Sequence, residues 1–378
     1  MQILESPQGR FELARFPLQE KDPLRAWDAA DEYLLQKFAE QYGEGFSGRI
    51  LIINDGFGAL SVALSAYEPV MMSDSYLSQQ GCLANLQHNG LDEQAPTLLN
   101  SLQSPEGKFD LLMIKLPKSQ AMLEHQLLQL RAHLDKDTVI IAAGMVKAIH
   151  TSTLKLFERI LGPTTTSLAK KKARLIFCQL DSAIQPGDSP YPKHYTLEVE
   201  EQEYTINNHA NVFSRESLDL GTRFFLQNMP KGEFKTIVDL GCGNGILGLM
   251  AAQQHPQAEI VFVDESYMAV ASAEENFNAA FTGQTRASFE VSDSMTNIAT
   301  GSVDLVLNNP PFHQQHAVGE QVAWQMFADA KRALKQHGEL WVIGNRHLAY
   351  DIKLKHMFGN CQTMASNKKF VILKVKKR

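Results

Sequence analysis

Short apolar runs, each closed by a small or acidic residue and followed by helical spacing, recur along the chain. Residues 50–53, Ile-Leu-Ile-Ile, are the first strong case. Further strand-like runs lie at 69–72, 109–114, 139–145 and 173–178, and again at 237–240, 259–263, 287–291, 303–307, 339–343 and 370–375. Most are dominated by apolar residues rather than alternating, as strands covered on both faces are. Helical patterns stand between them, including 27–38 and 151–160, so the period changes from strand to helix and back. That order predicts an α/β fold with a mainly parallel sheet. Residues 11–16 read as a short strand, 162–167 as a turn, and 195–206 as a strand pair.

The order occurs twice. Gly56-x-Gly58 falls on Gly241-x-Gly243, and Asp74-Ser75-Tyr76 falls near Asp264-Glu265-Ser266-Tyr267. Asp110 falls on Asp304, which puts Lys115 on Asn309 and Pro117 on Pro311. A duplicated doubly wound α/β domain accounts for this, although two unrelated α/β halves also share such composition. Residues 181–192, rich in Pro, Gly and Ser, form the best linker. The predicted domains are therefore 1–185 and 195–378.

Composition narrows the class. The charged fraction is 21% and the hydrophobic fraction 44%, as in globular domains. The longest apolar run, 138–146, is far below the ~20 residues that span a bilayer. No charged-then-apolar leader opens the chain, so a cytoplasmic protein is expected, with no membrane partner. Four scattered cysteines, Cys82, Cys178, Cys242 and Cys361, form no CxxC pair, so neither a metal site nor a disulfide frame is expected. A net charge of −6 argues against indiscriminate nucleic-acid binding but leaves room for basic patches. Two such patches are Lys170-Lys171-Lys172 with Arg174, and the tail with Lys368, Lys369, Lys374, Lys376, Lys377 and Arg378. Lysine runs also serve as plain solvated faces.

Candidate chemistry lies in the second half. Ile237-Val238-Asp239-Leu240-Gly241-Cys242-Gly243-Asn244-Gly245 reads as a strand, a glycine turn and a helix start. Glycines there allow positive φ and close approach of a ligand. The spacing is not G-x-G-x-x-G, and a second strand ends in Asp264, placed to accept both hydroxyls of a ribose. An NAD-binding turn remains the alternative on these strands alone. The pattern resembles the class I S-adenosylmethionine (SAM)-dependent methyltransferases. That resemblance implies a SAM site formed by Asp239, Gly241, Gly243, Gly245 and Asp264. Asp293 would accept from the adenine amino group, although an Asp capping a surface turn fits it nearly as well. Phe213 and Arg223, before the first strand, would line the methionine end, and Phe213 equally suits core packing.

Asn309-Pro310-Pro311-Phe312 matches the N-P-P-[FYW] motif of methyltransferases that act on an amino nitrogen conjugated to a ring or carbonyl. Such a nitrogen is a poor nucleophile because its lone pair is delocalised. The Asn309 side-chain oxygen and the Pro310 carbonyl can accept its two N–H bonds, hold it in line with the methyl group and stabilise the growing positive charge. Phe312 offers a face on which a planar base can stack. An ordinary Pro-Pro turn after a buried strand is the bland alternative.

His313-Gln314-Gln315-His316, His209-Ala210-Asn211-Val212-Phe213-Ser214-Arg215 and the degenerate first copy make the chain similar to the bacterial ribosomal RNA guanine-N2 methyltransferases of the RlmG and RsmC kind. Residues 162–175 and Gly344-Asn345-Arg346-His347-Leu348 point to the RlmG type. That resemblance implies two tandem Rossmann-like methyltransferase domains, the first degenerate. It also implies methylation of a 23S ribosomal RNA guanine at its exocyclic N2, on naked RNA or an assembling large subunit, with SAM as donor. The sister type modifies 16S RNA. Other readings are an N6-adenine or N4-cytosine DNA methyltransferase, a release-factor glutamine methyltransferase, and a non-enzymatic assembly factor. The first half has Ala59-Leu60 where the second has Asn244-Gly245, and Lys115 where Asn309 stands. It is therefore expected to have lost the chemistry and to dock RNA through Lys115, Lys118, Lys147, Lys170, Lys171, Lys172 and Arg174.

Overall fold

Each half of the chain opens with an antiparallel hairpin and then builds a seven-stranded sheet. The computed structural model describes residues 1–19, 22–43, 45–199, 202–311 and 316–378, with the backbone alone over 316–320. It divides into two units, Met1–Tyr191 and Pro192–Arg378.

In the first unit the elements are β1 (Gln2–Ser6), β2 (Gly9–Leu13), α1 (Ala29–Tyr42), β3 (Ile50–Ile53), α2 (Ala59–Ala63), β4 (Val70–Ser73) and α3 (Tyr76–His88). They continue with β5 (Thr97–Asn100), β6 (Leu111–Lys115), α4 (Gln120–Leu130), β7 (Val139–Met145), α5 (Thr151–Ile160), β8 (Thr164–Thr166) and β9 (Ala173–Cys178). The sheet order is β5-β4-β3-β6-β7-β9-β8, with only the β9 pairings antiparallel.

The second unit holds β10 (Lys193–Val199), β11 (Gln202–Asn208), α6 (Leu220–Leu226), β12 (Thr236–Leu240), α7 (Ile246–Gln254), β13 (Glu259–Asp264) and α8 (Tyr267–Ala280). It continues with β14 (Ala287–Val291), β15 (Val303–Asn308), α9 (His316–Ala333), β16 (Leu334–Asn345), α10 (Tyr350–Phe358), β17 (Gln362–Ser366) and β18 (Phe370–Lys376). Its order, β14-β13-β12-β15-β16-β18-β17, repeats the first. Both units are Rossmann-like α/β sheets.

The apolar runs have a direct cause. In β3, Ile50 and Ile52 join the core on one face of the sheet, and Leu51 and Ile53 join the core on the other. Ile237 and Val238 of β12 divide in the same way. Helices cover both faces, so these strands are mainly apolar, with Asp239 near the end of β12 an exception. The order reverses between β12 and β15, and ligands of open α/β sheets bind beyond the carboxyl ends of strands at such a switch point. No helix among the described residues is long and apolar enough to cross a membrane.

Two expectations are corrected. Residues 162–167 are not a simple turn, because Thr164–Thr166 pair with β9 as the edge strand β8. The glycine turns also align two residues away from the register taken from sequence. Leu111 of β6 pairs with Ile50 as Leu305 of β15 pairs with Ile237, which places Gly58 on Gly245. Both have left-handed φ, 84° and 78°, and both cap the helix that follows. The first half thus keeps this glycine, and its divergence lies elsewhere.

Candidate active site

The turn from β12 to α7 runs Gly241, Cys242, Gly243, Asn244, Gly245, and its three glycines all have positive φ. A Cβ on Gly245 would lie 2.9 Å from Ala273 Cα on α8, so the turn sits tightly against that helix. A Cβ on Gly243 would meet nothing within 4 Å, which leaves open space above the turn for a ligand backbone approach.

Two carboxylates shape this turn. Asp239 is 1% exposed, and its Oδ2 accepts the Gly248 N–H of α7 at 2.8 Å. Burial pushes its carboxyl up to about 8. The geometry therefore shows Asp239 holding the helix start. Asp264, at the end of β13, accepts the Gly243 N–H with Oδ2 and the Ser266 N–H with Oδ1, both at 3.0 Å. Burial raises its pKa, against the effect of these bonds. The Glu265 N–H also bonds this carboxylate, which leaves one acceptor site for a ribose hydroxyl.

Behind the turn stands a buried asparagine that the sequence reading missed. Asn276 Nδ2 donates to Asn207 O and Asn244 O, and its Oδ1 accepts from Asn207 N–H. Asn244 Nδ2 donates in turn to Asn208 Oδ1 at 2.9 Å. The β10–β11 hairpin is thereby fastened to the glycine turn. An Asn in helical spacing carries no sequence signal that separates this role from a surface position.

At the end of β15, Asn308 is buried and donates Nδ2 to Leu240 O at 2.8 Å, which ties the two central strands together. Asn309 follows. Its Nδ2 donates to Thr222 Oγ1 at 3.0 Å, while its Oδ1 is solvent-inaccessible and has no hydrogen-bond partner among the described residues. Pro310 is buried beside it. Asn308 Oδ1 is buried without a partner among the described residues too, but Asn308 lies within the sheet, whereas Asn309 stands beyond the strand end where a ligand donor can reach it. Phe312 and residues 313–315 lie outside the described residues.

Asp293, after β14, is half-buried, and burial and the charge of Asp329 on α9 raise its pKa. Asp329, a second carboxylate near this end of the site, was not found from sequence. Phe213 is 59% exposed, and Arg223 is exposed on α6, so neither is enclosed against the glycine turn.

The first unit repeats the framework and changes the chemistry. Asn85 donates to Ala14 O and Phe57 O, as Asn276 does to its own partners. Ser73 stands where Asp264 does, its Oγ accepting from Ser75 N–H at 3.1 Å. Lys115, expected to meet phosphate, does not face solvent. Its side chain is 13% exposed and its Nζ lies 2.8 Å from Asp28 and 2.6 Å from Asp31. Burial works against its charge, but the two carboxylates outweigh it and hold the pKa above the ordinary lysine value. Asp31 is itself buried, so the ammonium is kept there as its counter-ion.

The other expected RNA contacts follow the carboxyl edge of the first sheet. Lys118 and Lys147, just beyond β6 and β7, are exposed, as are Lys170, Lys171 and Lys172 before β9. Lys171 pairs with Glu32 at 2.6 Å, Lys170 bonds Gln36, and Arg174 is half-buried.

Residues 1–182 match the RLMG N-terminal domain family, and residues 203–374 match the methyltransferase small domain family. The chain is 51% identical over 385 residues to the ribosomal RNA large subunit methyltransferase G of Streptomyces griseus, with 100% of both chains covered. It is also 51% identical to the protein of that name from Aeromonas salmonicida, over 100% of this chain and 99% of that one. Among solved structures, the T. thermophilus 16S rRNA N2 G1207 methyltransferase (RsmC), in complex with AdoMet and guanosine, superposes with a TM-score of 0.78 at 22% identity. That match covers 100% of this chain and 98% of the other, and shows that the two share a fold.

Proposed function

The chain belongs to the ribosomal RNA large subunit methyltransferase G family, and from that premise we propose that it transfers a methyl group from SAM to the exocyclic N2 of one guanine in 23S ribosomal RNA, in the cytoplasm. The observation that carries this reading is Asn309: a buried side-chain oxygen, without a partner among the described residues, directly after the central strand β15. An amine N–H is the donor that such an oxygen lacks. SAM supplies an electrophilic methyl group on a sulfonium when bound.

The remaining work falls to the chain. Asp264 accepts a ribose hydroxyl, the open space over Gly243 admits the cofactor backbone, and Asp293 takes the adenine amino group. Asn309 Oδ1 and the Pro310 carbonyl accept the two N–H bonds of the guanine amine. This turns the nitrogen lone pair away from conjugation with the ring and toward the methyl group. Two oriented acceptors also stabilise the positive charge that grows on nitrogen as the bond forms. The first unit serves docking, with Lys118, Lys147 and Lys172 placed to meet phosphates along one sheet edge.

The test is transfer of tritium from labelled SAM to RNA from a strain lacking the gene, followed by nucleotide mapping. N2-methylguanosine in large-subunit RNA is the expected product. Label in 16S RNA, DNA or a release factor instead would overturn the assignment.

A further inference from the structure

Asn309 can present its oxygen to the substrate only if its amide is held one way round. Either edge of a planar amide can face the substrate, and the flipped form would offer N–H donors to an amine that also donates. Something must decide between them. The partner of Asn309 is the hydroxyl of Thr222, the third residue of α6, with Nδ2 to Oγ1 at 3.0 Å. A hydroxyl by itself could donate or accept there.

Asp219 removes that ambiguity. It is the N-cap of α6, and its Oδ2 accepts the Thr222 N–H at 2.9 Å. The same oxygen accepts the Thr222 hydroxyl through a longer contact of 3.4 Å. A carboxylate has no hydrogen to give, so the Thr222 hydrogen points to Asp219 and its lone pair to Asn309. Asn309 must then offer Nδ2 to Thr222 and leave Oδ1 without a partner among the described residues.

The first unit supplies an independent comparison. Asp28 caps α1, Asp31 is its third residue, and Asp31 Oδ2 lies 2.6 Å from Lys115, at the position of Asn309. In both halves the third helical residue reaches the equivalent position at the end of the fourth parallel strand. In the first half it neutralises an ammonium; in the second a neutral hydroxyl takes its place.

We propose that Thr222 is a positioning residue of the methyl transfer, its hydroxyl polarised by Asp219 so that Asn309 shows its oxygen, never its nitrogen, to the acceptor amine. This rests on the assignment of Asn309 above. The effect of Thr222 on the reaction passes through Asn309.

The experiment uses the full chain with 23S RNA and SAM, and compares Thr222→Val, Thr222→Ser, Asn309→Ala and the Thr222→Val/Asn309→Ala double variant. Thr222→Val keeps the shape and removes the hydroxyl, and kcat is expected to fall about tenfold. The KM for RNA and the Kd for SAM stay at wild-type values, and Thr222→Ser restores kcat. In the double variant the valine adds no further loss, because no amide remains to be oriented. Should the valine variant not fold, Thr222→Ala carries the same expectation. Wild-type kcat in the threonine variants beside a severely impaired Asn309→Ala would overturn the role of Thr222 alone. Loss shared equally between Kd for SAM and kcat would also overturn it, by making Thr222 a support of the whole pocket. Near-normal turnover of Asn309→Ala would instead remove the reading of Asn309 on which the inference stands.

Discussion

A single acceptor oxygen aimed at developing charge is worth on the order of 3 kcal/mol, so Asn309→Ala should lower the rate of methyl transfer about a hundredfold or more. SAM affinity should hardly change, since Asn309 faces the base, and single-turnover kinetics beside calorimetry would separate the two. Asp264→Ala should do the reverse. A ribose hydroxyl loses its acceptor at a cost of about 1–3 kcal/mol, read in the SAM binding constant. Asp239 belongs to stability. Its folded-state pKa, raised to about 8, lies far above the ~3.9 of an unfolded aspartate. Between those values the unfolded chain binds fewer protons than the folded one, so stability falls as pH rises. Asp239→Asn keeps an acceptor for Gly248 N–H and removes that titration. Urea midpoints at pH 5 and pH 8 should therefore differ less in the variant than in the wild type. Some slope should remain, because Asp55, raised to about 6, has the same sign.

Gly58 and Gly245 make the same turn against different neighbours, and their substitutions should separate. An alanine in left-handed conformation costs about 1–2 kcal/mol, and here its Cβ would also lie 2.6 Å from Cys82 Cα or 2.9 Å from Ala273 Cα. Gly245→Ala should weaken SAM binding, whereas Gly58→Ala should lower the melting temperature and leave SAM titration unchanged. Much of this element pattern was legible in the sequence. β3, β7 and β9 lie at the residues their apolar runs marked, because strands covered on both faces have few polar positions to blur their limits. The misses share a cause. β5, β8 and β17 are edge or near-edge strands such as Thr164–Thr166, whose pairing comes from backbone bonds and not from side chains that any pattern records. The repeat was visible, but its register was not. Two glycines spaced by one residue occur twice in Gly241-Cys242-Gly243-Asn244-Gly245, and only strand pairing shows which pair Gly56 and Gly58 repeat. Asn309 could be found by motif; Thr222 could not, since its role depends on a hydroxyl reaching across 87 residues of sequence.

For the whole chain the expectation is one SAM, not two. Ser73 replaces the ribose carboxylate and Lys115 the amine acceptor, so calorimetric titration should end at one equivalent per chain. Reversing Lys118, Lys147 and Lys172 to Glu should weaken 23S RNA binding and flatten its salt dependence by about 0.7–0.9 for each phosphate no longer neutralised, with SAM affinity intact. Unchanged RNA affinity at every salt concentration would move docking to another face. The ion triad of Lys115 with Asp28 and Asp31 has a consequence for descent. Restoring asparagine at 115 would leave Asp31 buried without its counter-charge, and breaking a buried pair in this way costs about 3–5 kcal/mol. A single back-mutation therefore yields an unstable protein before it yields an acceptor, and Asp31 would have to change first, in a background where Lys115 still pairs with it. Asp28, 2.8 Å away, would then be the partner that Lys115 keeps. The triad thus acts as a ratchet in one direction: an asparagine placed at 115 loses the fold's buried counter-charge before it gains an amine acceptor.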